Sequence, residues 1–593
     1  MIHKKIRSIK DVVSKELLPF VRKPGRYIGG EVNQVKKELH SCDVRVALCF
    51  PDIYEIGMSY LGMEILYSIT NKLEGIAAER VFAPWFDAEE VMRDKDKPLF
   101  TMESRGRVRD FDLIGFSLTN ELCYTNLLNM LNLAGLEVRS ESRSEDDPIV
   151  IVGGQASNCA EPLSAFVDMF VLGEAEEAAV EIVELYRQMK QSAKSKEEFL
   201  LAAVKQFSCV YVPQFYDIDE AGAIKPKIEG LPTEFENAVA RDFENSPNPE
   251  KPIVPFVQAV HERVSIEIMR GCPGRCRFCQ ASFCRRPVRV RSVDRILESA
   301  KQQYAATGFD TVSLLSLSTS DYPYLEELID KMNAHFAPLH VGLSIPSLRV
   351  QKQLQLLPKM VTSVRKGGLT IAVEAASEHL RQVINKPITD EDLFAAVKAA
   401  FEAGFLRLKL YFMVGFPGET QEDIQKIVDM SQKLSSLRQE VDGKFADITA
   451  AISWLVPKAH TPFGWLGQKD RAYFERAKEL ILSRKRQLKL RFVKFNFHAF
   501  DRSILESAMG RGGRELCDVI ETAWQSGARF DLWNEGFDLK RWQDAFEAAG
   551  LNLETEAQRS FDSDQALPWS HLGGPDTAGL LKHYHQSTRV LEA

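Results

Sequence analysis

Polar and apolar positions along the chain fall into two successive runs of short apolar strands separated by amphipathic segments, with a proline-marked stretch between them. In the first run, residues 44–50 are continuously apolar apart from Arg45, and a helical pattern from 60 to 73 follows. Similar apolar stretches at 113–117, 149–152 and 169–172 precede helix-like segments or glycine turns. Strands spaced by helices predict a doubly wound, Rossmann-like parallel sheet, which binds ligands at the carboxyl ends of its strands. The second run has candidate strands at 264–268, 311–316, 339–344, 369–373, 407–413 and 447–453, six in all, fewer than the eight of a full barrel. The chain therefore divides into a helical lead-in at 1–41, a sheet domain at 42–190, a connector at 191–255, a barrel at 256–465 and a mainly helical region at 466–593.

Composition narrows the class. With 593 residues and 45% hydrophobic content, several sizeable cores can form. No apolar run reaches the length of about 20 residues that a membrane span needs, and the basic start lacks the apolar core of a signal peptide. Ten cysteines at irregular spacing do not make a disulfide framework in a chain this long. A cytoplasmic location is expected. The net charge of -8 argues against broad coating by a polyanion.

Chemistry concentrates in Met269-Arg270-Gly271-Cys272-Pro273-Gly274-Arg275-Cys276-Arg277-Phe278-Cys279. Three cysteines spaced C-x3-C-x2-C let their thiolates converge on one polynuclear centre, with Gly271, Pro273 and Gly274 making the turns. The array resembles the signature of the radical S-adenosylmethionine (SAM) superfamily, with Phe278 in the aromatic place. That resemblance implies a partial (β/α)6 barrel and a 4Fe-4S cluster on Cys272, Cys276 and Cys279. It further implies an open iron that binds SAM, reductive cleavage to a 5'-deoxyadenosyl radical, and an electron donor such as flavodoxin or ferredoxin. A zinc site completed by Cys284 is the alternative from the residues alone, within a non-catalytic binding protein.

Later strand ends carry further likenesses. Ser318, with Ser320, follows the strand at 311–316, where the superfamily contacts the SAM amino group, although the usual glycines and glutamate are missing. Glu374 ends an apolar strand, with Asn385-Lys386 beyond, and either faces the SAM pocket or pairs with a lysine or arginine. Gly415-Phe416-Pro417-Gly418-Glu419-Thr420 resembles the turn that lies near the adenine, with Thr420 placed as an N-cap. His460 is either a proton donor or a satisfied structural group. Arg285, Arg286, Arg289 and Arg291 either offset the cluster and a SAM carboxylate or grip an acidic substrate.

The first domain resembles cobalamin-binding domains. Asp52, Tyr54 and Gly57 match their D-x-H-x-x-G loop with tyrosine in place of the cobalt-ligating histidine, and Ser117, Gly153 and Gly154 fall where the nucleotide tail is enclosed. The resemblance implies cobalamin in this domain and cobalamin-dependent methyl transfer, or a domain that has kept the turns without the cofactor. Cys49, Cys123 and Cys159 allow another reading, a second cluster as in methylthiotransferases acting on RNA or a ribosomal protein, or else small core residues. The run Arg484 to Phe500 interleaves basic and aromatic residues, as a single-stranded nucleic acid would need, or is a strand with its rings turned to the barrel.

Overall fold

The computed structural model describes residues 5–219, 222–346 and 369–592. The first sheet holds β1 (Val44–Phe50), β2 (Ile76–Phe82), β3 (Leu113–Ser117), β4 (Ile149–Gly153), β5 (Met169–Val171) and β6 (Val210–Tyr211) in the order 2-1-3-4-5-6. Its first five strands are parallel, and β6 runs antiparallel at the edge. β1 and β2 are buried along their whole length, as strands covered on both faces must be. Burial extends to charged residues. Arg45 on β1 is tied to Asp112, which also takes Lys190 at 2.8 Å, and Arg80 on β2 is clamped between Glu31 and Glu103.

After a hairpin of β7 (Tyr216–Ile218) and β8 (Ile224–Pro226), the barrel strands follow as two parallel groups. One group is β9 (Val264–Glu267), β12 (Thr311–Leu315) and β13 (Gly342–Ser344); the other is β14 (Leu369–Glu374), β15 (Arg407–Val414), β16 (Asp447–Trp454) and β17 (Val493–Phe497). The six expected strands all form. β17 adds a seventh, built from the basic and aromatic run, with Val493 and Phe495 buried in the barrel core. An antiparallel pair, β10 (Met269–Arg270) and β11 (Arg289–Val290), brackets the cysteine loop.

The helices after β17 pack against the first sheet. Ile504, Leu505, Val519, Ile520, Trp542 and Phe546 join the same hydrophobic core as β1 to β6. Buried hydrogen bonds fix that seam. Thr125 donates to Asp531 at 3.0 Å, the Phe530 amide donates to Asn126 at 2.7 Å, and the Trp533 indole donates to Asp52 at 2.9 Å. Among the described residues no helix is long and apolar enough to cross a membrane.

Candidate functional site

The cysteine loop leaves β10 through Gly271 at φ +84, where a Cβ would come within 2.6 Å of the Arg285 carbonyl oxygen, so glycine is needed there. Side-chain donors then tie up the loop's backbone. Arg286 donates to the carbonyls of Cys272 (3.2 Å), Gly274 (2.9 Å) and Ser282 (2.9 Å), and Ser282 donates to that of Cys279 at 2.8 Å. The Arg277 guanidinium donates to the carbonyls of Gln382 and Val383, its amide donates to Ile384, and Asn385 donates back to the Arg275 carbonyl. The loop is thus strapped to the segment beyond β14, with its three thiols part-exposed.

The electrostatics suit an anionic centre. Arg275, Arg277 and Arg286 lie in or against the loop. Burial raises the Cys279 thiol and nearby Cys272 raises it further, so a bound cation or cluster is what would hold it as thiolate. Burial pushes Cys284 up to about 12. Three part-exposed cysteines, with the Arg286 guanidinium bound to the loop's carbonyls, fit a cluster with one open iron.

A buried ion network roots the loop in the first domain. Arg270 pairs with Glu267 (2.7 Å), Glu176 (2.6 Å) and Glu174 (3.0 Å), and Arg289 also pairs with Glu174. The apolar stretch at 169–172 runs into the turn that carries Glu174 and Glu176, but its pattern does not reveal their partners. An arginine next to Gly271 was the available signal.

The other strand-end residues separate. Glu374 sits at φ +67 beyond a bulge in β14 and pairs with Lys386 at 2.9 Å, the ion-pair alternative for this residue. Gly415 donates its amide to Glu419 at 2.7 Å, and the Tyr473 hydroxyl donates to the same carboxylate, whose pKa burial lifts to about 7. Thr420 and Asp423 form a capping box at the start of the next helix, while Pro417 stays part-exposed in the turn. Phe278 packs near Phe416, with centroids 6.2 Å apart. Ser318 is buried and donates to Asp321 at 2.7 Å, so its hydroxyl is engaged in the loop itself. His460 is buried with its pKa depressed to about 4, and its ring meets the Asn158 carbonyl at 2.9 Å, which makes it a structural link between domains. The C-terminal helix Thr577–Glu592 lies over this edge, with Leu591 against Gly418 and His583 against Arg275 at 3.3 Å.

A cavity of about 470 Å³ runs from the interior of the first sheet to the base of the cysteine loop. Ser117, Gly153 and Gly154 line it, as does Gly115, where an added Cβ would meet nothing closer than Leu48 at 3.6 Å. Asp52, Tyr54 and Gly57 do not line this cavity. Asp52 is held by Trp533, Tyr54 is 1% exposed and donates to Glu31, and a Cβ on Gly57 would run into Phe82. The C-terminal helices and the lead-in have filled the space above that loop. Cys49 and Cys123 are buried in the core of the first sheet, and Cys159 in a separate apolar cluster with Phe283 and Trp569. Burial lifts all three thiols well above their ordinary value.

Comparison with known proteins agrees with the barrel and its cysteines. The family model described as radical SAM proteins, N-terminal, matches residues 62–213, and that of the radical SAM superfamily matches 266–431. Uncharacterized protein MJ0966 of Methanocaldococcus jannaschii is 25% identical over 510 residues, covering 85% of this chain and 97% of that protein. Ribosomal protein uS12 methylthiotransferase RimO of Desulfotalea psychrophila is 28% identical over 209 residues, 33% of this chain and 43% of that one. Among solved structures, the cobalamin-dependent radical enzyme OxsB aligns with TM-score 0.48 and 12% identity over 99% of this chain and 85% of its own. TsrM from Kitasatospora setae aligns with TM-score 0.46 and 15% identity over 71% of this chain and 74% of its own. With the cysteine loop at the end of its first barrel strand and both family models matched in order, the chain is a radical SAM enzyme.

Proposed function

We propose that this radical SAM enzyme carries a corrinoid in its N-terminal domain and uses it for methyl transfer to an unactivated carbon of its substrate. The observation that carries the reading is the cavity: a glycine-lined space enters the sheet at the carboxyl ends of β3 and β4 and opens toward the cysteine loop, where doubly wound domains bind cofactors. Gly115 and Gly153 leave open the room that side chains would otherwise take. Tyr54 is packed away from it against Glu31, so that loop's side chains would not reach a corrinoid held there.

When bound, the cluster and SAM supply the 5'-deoxyadenosyl radical chemistry of the superfamily, and the corrinoid supplies a methyl carrier. The chain's own part is to hold and to exclude. Cys272, Cys276 and Cys279 hold the cluster, and Arg275, Arg277 and Arg286 offset its negative charge. Lys386 fixes Glu374 at the strand end for SAM, and the Gly415 to Pro417 turn, braced by Glu419, offers its backbone to the adenine. The C-terminal helix covers the edge and limits water access. Radical SAM enzymes need a reductant, and we assign that role to a small carrier such as flavodoxin or ferredoxin. The methylthiotransferase reading stays as the minor alternative that the partial likeness to RimO supports, and it would need Cys49, Cys123 and Cys159 to hold a second cluster.

The test is to mix the anaerobic, iron-reconstituted chain with hydroxocobalamin, remove free ligand and record the corrin absorbance. About one corrinoid per chain is expected, lost in Gly115→Leu, whose side chain fills the cavity, with iron content unchanged. A parent chain that retains no corrinoid would refute the reading.

A further inference from the structure

The four arginines that follow the cysteine loop have separate fates. Arg286 binds loop carbonyls, and Arg289 pairs with Glu174. Arg291 is fully buried, donates to the Ser246 carbonyl and stacks over Phe243 at 4.6 Å. Arg285 lines the interdomain cavity, and among the described residues no carboxylate pairs with it. The cavity's three carboxylates, Glu174, Glu176 and Glu267, are all committed to Arg270.

Tyr60, from the first domain, lines the same cavity, packs its ring on Phe50, and makes no side-chain hydrogen bond among the described residues. Burial raises its phenol, and the nearby Arg285 pulls against that rise, so the two groups lie within electrostatic reach of each other. A cationic fork and a hydroxyl donor, contributed by two domains and with no ion pair or side-chain hydrogen bond among the described residues, share a part-desolvated corner of a cavity whose three carboxylates are already held by Arg270 and Arg289. Such a corner is unfavourable until an anion enters it.

We propose that Arg285 and Tyr60 form an anion-recognition site at the mouth of the cavity, for a ligand bearing a phosphate or carboxylate group. The inference rests on the reading above that this cavity is occupied. Two sources share the chemistry: the phosphodiester of a corrinoid tail, and an acidic group on the substrate.

The test titrates the iron-reconstituted full chain calorimetrically with sodium pyrophosphate at constant ionic strength, then with hydroxocobalamin and with cobinamide, which lacks the nucleotide phosphodiester. Pyrophosphate should bind the parent saturably. Arg285→Gln should weaken it about tenfold or more and Tyr60→Phe about threefold, with Arg285→Lys between them, since a lysine keeps charge without the fork. Iron content and melting temperature should hold, and Arg285→Lys with Tyr60→Phe decides the matter if Arg285→Gln fails to fold. Given that loss, a parallel loss for hydroxocobalamin but not cobinamide identifies the corrinoid phosphodiester as the anion, and unchanged binding of both corrinoids identifies the substrate. A parent that binds neither corrinoid refutes the cofactor reading alone, since the pyrophosphate result stands by itself. No saturable pyrophosphate binding by the parent, or parent-like binding by Arg285→Gln and Tyr60→Phe, would overturn the site.

Discussion

Two loops in this molecule follow the first strand of a parallel sheet and carry a recognisable motif, and they have opposite fates. The Cys272 to Cys279 loop after β9 stays open: arginine and serine side chains consume its carbonyls, and its three thiols remain part-exposed. The Asp52 to Gly57 loop after β1 is closed, with Asp52 bonded to Trp533 and Tyr54 to Glu31. Position at a strand's carboxyl end is therefore only permission to bind. Whatever packs above the loop decides whether a ligand can enter.

The largest effect that sharpens this contrast should come from comparing Cys276→Ala with Cys284→Ala. Iron per reconstituted chain should fall from about four to near zero in the first and stay at about four in the second, because a three-thiolate site is already complete without Cys284. Loss of iron in Cys284→Ala would mean that the open loop is a four-cysteine site.

Next in size is Glu374→Gln, which keeps shape but releases Lys386. The KM for SAM should rise about tenfold, the cost of one charge-assisted interaction, with iron content unchanged. An unchanged KM would make the pair purely structural.

On the closed loop, Tyr54→Phe should lower stability by about 1–2 kcal/mol, the penalty for leaving Glu31 one donor short in a buried site. Corrinoid binding should stay within about twofold, as expected of a residue that does not meet the ligand. A large loss of corrinoid binding would erase the distinction between the loops.

The last effect is pH dependence at the turn after β15. The Glu419 carboxyl has its pKa raised to about 7 by burial, so the folded state holds its proton over a range where the unfolded chain has released it. Stability should fall as pH rises from about 4.5 to 7, and Glu419→Gln should remove a fall of about 3 kcal/mol in denaturant titrations across the range. A variant with the parent's slope would show that Glu419 is ionised throughout.

The barrel was largely legible because its strands alternate apolar with polar residues and end at the motifs, and because three cysteines in eight positions carry their own chemistry. β2 was missed for a physical reason: Ile76–Phe82 has Glu79 and Arg80 at its centre, and only the folded structure supplies Ser104, Thr101, Glu31 and Glu103 to satisfy them. β17 looked ambiguous because its lysine and asparagine face outward between Val493, Phe495 and Phe497. The closure of the Asp52 loop could not be read locally, since Trp533 lies far along the chain. Tyr60 was equally hidden, and Arg285 could not be told from the three arginines named with it, because a charge without a partner is visible only after the other charges have found theirs.

The central claim is that Cys272, Cys276 and Cys279 hold the cluster that cleaves SAM. Its most direct test is to incubate the anaerobically reconstituted chain with SAM and dithionite, beside the triple Cys272, Cys276, Cys279→Ala variant, and to measure 5'-deoxyadenosine. Formation by the parent, with none from a folded variant that has lost its iron, is the predicted result. No 5'-deoxyadenosine from a parent loaded with about four irons, or equal amounts from both proteins, would contradict it.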